Sequence, residues 1–340
     1  MSKLGIVAIG RNEGDRLQQC LQSVVGRAAQ VIYVDSGSTD GSVELARSLG
    51  VNVVELDLSI PFTAARARNA GLTRLLEIAP DLDYVQFVDG DCEVVEGWLE
   101  QAQKVLNTQP DVVVVCGRRR ERYPEASIYN RLCDLEWNTP IGEAKACGGD
   151  AMMRISALQS VGGYNPHLIA GEEPELCVRL RQNGGKILRI DAEMTLHDAQ
   201  MTRFGQWWKR SVRAGYAYAE GAWLHGAPPE CHWVKESRSI RLWGLIIPVL
   251  LLTTAIPTHG FSLLLLAGYP LMAYRAYRFA HRSGQTRIEA WLFGLSCALA
   301  KFPQAQGQAR FYWGKLFRRP SRLIEYNTST PKSNKPVIDF

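Results

Sequence analysis

Tyr84-Val85-Gln86-Phe87-Val88-Asp89-Gly90-Asp91 reads as a buried strand that runs out into two carboxylates separated by one glycine. A short apolar run that ends at a turn signal marks a strand covered on both faces. Two carboxylates leaving such a strand can converge on one hard cation, since Mg²⁺ or Mn²⁺ is held by one or two carboxylates plus substrate phosphates. Asp-x-Asp also occurs as a plain turn with an Asp cap. The hydrophobic strand directly before it favours the metal.

Similar runs flank this strand. Apolar stretches over residues 4–9, 31–34, 51–56 and 112–116 alternate with helical spacing over 15–25, 42–49, 63–78 and 98–106. This pattern predicts an α/β fold with a mainly parallel sheet covered by helices on both faces. Ligands of such sheets sit beyond the carboxyl ends of the strands, where the polar clusters of this chain fall. Asp35 ends the second strand in Val34-Asp35-Ser36-Gly37-Ser38-Thr39-Asp40-Gly41, placed to accept hydrogen bonds from a ribose or base. Ser38, Thr39 and Asp40 also suit a turn and a helix cap. Neither GxGxxG nor GxxxxGK[ST] occurs, which argues against dinucleotide and P-loop sites. Further on, 173–182 has helical spacing and 187–190 reads as a strand.

Charge divides the 340 residues unevenly. Residues 1–200 carry 20 Lys and Arg against 28 Asp and Glu, whereas residues 201–340 carry 19 against 6. A basic half of this kind points to nucleic acid or a membrane. Residues 242–274 contain no Asp, Glu, Lys or Arg and break at Pro257-Thr258-His259-Gly260. A spanning helix needs about 20 apolar residues, so each half is short and a tight helical hairpin or a re-entrant pair is expected. A buried soluble helix pair is the alternative. Lys235, Arg238 and Arg241 precede the hairpin, and Arg275, Arg278, Arg282 and Arg287 follow it, placing both ends in the cytosol. Residues 290–300 read as an interfacial helix ahead of Arg310, Lys315, Arg318, Arg319 and Arg322. Cations that flank apolar segments fit membrane lipids and not nucleic acid.

The expected organisation is a catalytic domain over 1–230, a membrane-associated helical region over 231–326 and a disordered tail over 327–340. Met1-Ser2-Lys3 leads straight into an apolar strand, so no secretory leader is expected. Eight scattered cysteines without a CxxC pair suit a reducing cytosol, as small apolar residues.

Six motifs together resemble glycosyltransferase family 2. They are Ile9-Gly10-Arg11-Asn12-Glu13, Val34-Asp35-Ser36-Gly37-Ser38-Thr39-Asp40, Ala65-Arg66-Ala67-Arg68-Asn69-Ala70-Gly71, Asp89-Gly90-Asp91, Gly148-Gly149-Asp150 and Gly171-Glu172-Glu173-Pro174-Glu175-Leu176. The resemblance covers about residues 4–215 and implies a GT-A fold, a nucleotide-sugar donor (UDP-, GDP- or dTDP-sugar), Mg²⁺ or Mn²⁺, and inversion at the anomeric carbon. By this similarity Asn12, Glu13 and Asp35 face the nucleoside. Arg66, Arg68 and Asn69 face its base or phosphates, or else Arg66 and Arg68 are solvated helix residues. Gly149 and Asp150 belong to the substrate-binding motifs. Asp89 leans to the ribose, and Asp91 holds the metal. His197 resembles the late histidine that completes the metal shell, or is structural.

Glu173 occupies the place of the general base, with Glu172 and Glu175 as competitors, although the family usually has Glu-Asp there. Trp208 and Arg210 lie where processive members carry Gln-x-x-Arg-Trp, but here the order differs. They stack a sugar, bind the diphosphate or anchor the domain to headgroups. The resulting expectation is an inverting, metal-dependent transferase on the cytosolic face of the inner membrane. Its acceptor is a hydroxyl of a lipid-linked or envelope polysaccharide. The alternatives are a polyprenyl-phosphate glycosyltransferase and a membrane-tethered, non-catalytic sugar-binding protein.

Overall fold

The computed structural model describes residues 3–318 and residue 324. Among these, nine strands form one sheet: β1 (Leu4–Gly10), β2 (Gln30–Asp35), β3 (Asn52–Glu55), β4 (Tyr84–Asp89), β5 (Cys92–Val94), β6 (Val112–Glu121), β7 (Gly142–Glu143), β8 (Ala151–Arg154) and β9 (Lys186–His197). Their spatial order is β3-β2-β1-β4-β8-β6-β9-β5, with β7 also paired to β9.

The amino-terminal half is parallel, with β1 between β2 and β4 and β3 outside β2. The other half is mixed. β8 runs antiparallel between β4 and β6, and β5 and β7 run antiparallel to β9. β8 does not stand out in the sequence because Ala151-Met152-Met153-Arg154 contains no β-branched residue. β6 and β9 extend past their predicted ends, to Glu121 and His197. Gly117 and the arginines after it end the apolar pattern, yet the parallel ladder with β9 continues through register shifts around Cys116 and Arg118.

Burial explains the elements. Ile6, Val7, Ala8, Ile32, Val34, Val85, Phe87 and Val88 are inaccessible to solvent. The helix Asp15–Val24 lays Leu17, Cys20, Leu21 and Val24 on the sheet, spaced three and four residues apart. The helix Ala64–Ile78 starts at Thr63, whose side chain accepts the Arg66 N–H. That helix crosses β1 so closely at Gly71 that a Cβ there would lie 2.3 Å from Val7 Cγ1. Cys20, Cys92, Cys116, Cys133, Cys147 and Cys177 are buried free thiols, in keeping with their use as small apolar residues.

The apolar region differs in part from two short limbs. Its first limb is continuous with the basic helix before it, and Val234–Thr254 is long and apolar enough to cross a membrane. A π-helical stretch, Leu242–Ile246, interrupts this helix just before Pro248, which has no N–H to donate into the preceding turn. The turn lies at His259 and Gly260, both at positive φ. A 3₁₀ segment, Phe261–Ala267, then leads into the helix Gly268–Arg282. Leu252, Ile256, Phe261 and Leu264 are more than 70% exposed, an apolar surface that no other part of the described chain covers.

Residues 290–300 fall in the helix Arg287–Leu299, which buries Ala290, Gly294 and Ala298 while Ile288 and Leu295 stay exposed. The next helix, Lys301–Leu316, packs along Phe204–His225. Two glycines permit the contact. A Cβ on Gly215 would lie 2.0 Å from the Gln304 carbonyl oxygen, and one on Gly307 would lie 2.0 Å from that of Val212. Phe311 fills the same seam with Tyr216 and Ala219. Arg319, Arg322 and the expected tail over 327–340 lie outside the described residues.

Candidate active site

The ladder registers assemble the site. Gly10 lies opposite Asp35, and Ile9 lies opposite Asp89. His197 pairs with Cys92 on one side and Glu121 on the other, which puts it beside Asp91. These strand ends and the start of the helix Glu172–Gln182 enclose a cleft of about 310 Å³. Glu13, Arg68, Asp89, Asp91, Glu172, Glu173, His197 and Arg210, all anticipated from sequence, line it together with Arg119.

Two arginines, Arg68 buried and Arg119 half-buried, organise the carboxylates. Arg68 donates through Nη2 to Asp89 Oδ1 at 2.8 Å and through Nη1 to Glu172 Oε1 at 2.9 Å, with Glu173 Oε1 at 3.0 Å. Arg119 holds Asp89 Oδ2 at 3.1 Å and Asp150 Oδ2 at 2.7 Å. Asp150, fully buried, also accepts the Asp89 N–H at 3.0 Å and the Thr195 hydroxyl at 2.7 Å. Gly149 leaves room for this packing, since a Cβ would lie 2.5 Å from Arg68 Nη2 and 2.7 Å from Asp89 Oδ2. Charge-assisted bonds of this kind fix carboxylates that would otherwise repel one another.

Sequence reasoning missed Arg119. It sits in Arg118-Arg119-Arg120, past the point where the apolar pattern of β6 stops. Strand alternation continued through Glu121 would have pointed Arg119 and Glu121 to the same side.

The donor set suits a divalent cation. Asp91, Cys92 and His197 offer ligand atoms within 4.8 Å of one another, and so do Asp89, Cys92 and Asp150. Arg119 already engages Asp89 and Asp150, so the first group is the open one. His197 Nε2 is 3.2 Å from Asp91 Oδ2, and its Nδ1 is 3.6 Å from Glu121 Oε2. An imidazole with a carboxylate behind its far nitrogen is the usual outer support of a metal-ligating histidine. Trp137 packs edge-on against the His197 ring at 4.7 Å. Burial pushes the Cys92 thiol well up, which leaves a carboxylate and an imidazole to face a hard ion.

Two acids are poised differently from Asp91. Burial pushes Glu13 up to about 7, with Asp91 adding repulsion and Arg16 opposing it. Burial also pushes Glu173 up to about 7, with repulsion from Glu172 outweighing the attraction of Arg68. For Asp91, burial is outweighed by His197 and its hydrogen bond, so the carboxyl lies well below the usual range.

The other anticipated residues stand apart from the cleft. Asp35 is buried, accepting the Tyr33 hydroxyl at 3.0 Å and the Gly37 and Ser38 N–H groups at 2.8 Å. Asn12, at positive φ, accepts the Thr39 N–H at 2.7 Å and ties the first two strand-end loops together. Asp40 accepts the Ser42 N–H and hydroxyl at the start of the next helix, whose cap position is Gly41 and not Asp40. Arg66 donates to the Ile60 and Asp57 carbonyls, each at 2.7 Å. Asn69 pairs with the backbone of Tyr164 in both directions. Trp208 donates to Gln306 at 3.0 Å. Glu175 is bound by Arg179 and His225 and does not line the cleft.

Strand-end acids, paired arginines and an acid-tipped helix on a mixed α/β sheet form a cleft suited to an anionic ligand and a divalent cation. The profile of glycosyl transferase family 2 matches residues 6–158 of this chain. Glycosyltransferase AglE of Haloferax volcanii is 25% identical over 217 residues, which are 60% of this chain and 69% of that protein. Succinoglycan biosynthesis protein ExoA of Rhizobium meliloti is 27% identical over 197 residues, or 53% of this chain and 58% of its own. Among solved structures, a mannosyltransferase from Pyrobaculum calidifontis in complex with GDP-Man and Mn²⁺ superposes with a TM-score of 0.62 at 16% identity. That superposition covers 92% of this chain and 88% of the other and shows a common fold.

Proposed function

We propose that the chain is an inverting transferase. In this reading it moves a sugar from a nucleotide-sugar donor to a hydroxyl of a lipid-linked or cell-envelope glycan at the cytosolic face of the membrane. The observation that carries this reading is Glu173, on the cleft wall with its carboxyl near neutrality and 3.0 Å from Arg68. A general base works best with a pKa near the operating pH. Glu173 takes the acceptor proton, and Arg68 keeps it in line with the donor side at Asp89. Asp91 and His197 would hold Mg²⁺ or Mn²⁺. When bound, the cation supplies positive charge to the departing diphosphate. Arg119, Arg210 and Arg213 line the same cleft and favour an anionic donor.

A glycan acceptor is supported by the relative named for succinoglycan biosynthesis. Membrane attachment is supported by Val234–Thr254 and the exposed apolar turn beyond it. The domain division at about residue 230 belongs to the same proposal, although Lys301–Leu316 packs back onto the catalytic half. The test is Glu173→Gln. Donor binding should persist while transfer falls roughly 10²–10⁴-fold, the usual contribution of a general base. Transfer at the parental rate would remove Glu173 from this role. It would favour a lipid-phosphate acceptor, which needs little help from a base.

A further inference from the structure

A second cavity, of about 250 Å³, lies between the catalytic half and the apolar helices. Trp207, Tyr218 and Phe293 supply aromatic wall, Lys301 and Gln304 supply polar groups, and Glu136 and Glu236 supply carboxylates. Five helices contribute: Ile128–Glu136, Phe204–His225, Val234–Arg241, Arg287–Leu299 and Lys301–Leu316.

The polar groups there are not used up by the fold. Tyr218 meets Trp233 edge-on at 5.0 Å, but its hydroxyl has no hydrogen-bond partner among the described residues. The Lys301 ammonium likewise makes no ion pair or hydrogen bond there, and burial holds it below the usual lysine range. Both residues are half-buried at the cavity wall, so their polar groups are available to a guest or to water. The charges balance locally. Glu136 is paired with Arg210 at 2.6 Å, and Glu236 offsets Lys301. A neutral guest is therefore preferred over an anion. Aromatic faces beside scattered donors and acceptors suit a pyranose, whose C–H face stacks while its hydroxyls hydrogen-bond.

The position adds a second argument. Glu136 lines this cavity, while its partner Arg210 lines the catalytic cleft. The ion pair is thus a shared wall. Ile240 and Phe293 also line the cavity, from the helices Val234–Arg241 and Arg287–Leu299.

We propose that this cavity is an acceptor subsite that takes a neutral sugar ring of the glycan, adjacent to the ring that receives the new sugar. The proposal rests on the transferase reading of the main cleft. It makes acceptor recognition depend on the junction between the two halves of the chain.

The experiment is saturation-transfer NMR on the full-length protein in lipid nanodiscs, with methyl hexopyranosides as probes. The catalytic cleft is filled with a nucleoside diphosphate and Mn²⁺. At least one glycoside should show transfer that persists with the cleft filled. Its signal should fall about fivefold or more in both Lys301→Met and Tyr218→Phe, the loss of roughly one hydrogen bond. Nucleotide-induced thermal shift should be unchanged in both variants, which shows that they are folded. No glycoside signal, a signal displaced by nucleotide, or one unchanged in both variants overturns the proposal. So does a signal from glycerol phosphate in place of the sugars, which would assign the cavity to a lipid headgroup. Absence of any Mn²⁺-dependent nucleotide shift in the parent protein would count instead against the transferase reading.

Discussion

Arg68 and Asp89 face each other at 2.8 Å, from a helix and a strand end that the sheet brings together, and the arginine is only 2% exposed. Its other amino group reaches Glu172 and Glu173. One guanidinium therefore ties the strand-end acid Asp89 to the two acids that open the helix Glu172–Gln182, the donor and acceptor sides of the cleft in the proposed reading. Lysine, with a single point charge, cannot serve both sides. Arg68→Lys should lower both donor affinity and turnover, whereas a change confined to the base should lower turnover alone. Separate measurement of donor binding and single-turnover rate distinguishes these outcomes.

The pH profile should carry the signature of Glu173. A base must be ionised to accept a proton, and burial raises this carboxyl to about 7. Transfer should therefore fall as pH drops through about 7, and the residual rate of Glu173→Gln should lack that limb. A limb at the ordinary glutamate range in the parent enzyme would contradict the assignment.

Arg119→Met should destabilise the fold by about 3–5 kcal/mol, the typical result of stripping a buried ion pair of one partner. The partner left behind is Asp150, fully buried and held by Arg119 at 2.7 Å. Adding Asp150→Asn should restore most of the loss, because the neutral amide needs no cation. Urea denaturation of the single and double variants measures both effects.

Gly149→Ala should weaken donor binding roughly tenfold or more, about 1.4 kcal/mol. The added methyl group displaces Arg68 and Asp89 together, the two nearest neighbours of that position. Isothermal titration with nucleoside diphosphate and Mn²⁺ reads the change.

Glu220→Gln should raise thermal stability at pH 8 but not at pH 4.5. Burial lifts the Glu220 carboxyl to about 7, with Lys315 opposing the shift. A folded value above the unfolded one means that protonated Glu220 favours the fold at low pH. That contribution is lost as pH rises through about 7. Glutamine removes the penalty of the charged form, so the two melting curves should separate as pH rises from about 4.5 to 7. A constant difference across that range would show that the carboxyl does not titrate there.

The sequence made some of this visible. The Asp89-Gly90-Asp91 turn, the acids at the start of Glu172–Gln182 and the parallel half of the sheet follow from strong local patterns. Those patterns are continuous apolar strands that end in polar turns. Arg119 and Glu121 escaped because they lie on a strand extension that exists only through pairing with β9. Asn69 and Arg66 look like ligands in the sequence, yet their side chains are spent on the backbone of Tyr164 and on a loop. Such bonds depend on tertiary neighbours and leave no periodic trace. The second cavity draws on five helices between residues 128 and 316, and no single stretch of sequence announces it.

The close seam at Gly215 and Gly307 fixes more than a contact. Backbone meets backbone there, so a side chain at either position would force Phe204–His225 and Lys301–Leu316 apart. In the proposed membrane-attached enzyme, this seam would set the height of the reacting centre above the bilayer. An acceptor would then qualify by its reach, and the proposed enzyme would gauge how far the growing glycan extends from its anchor.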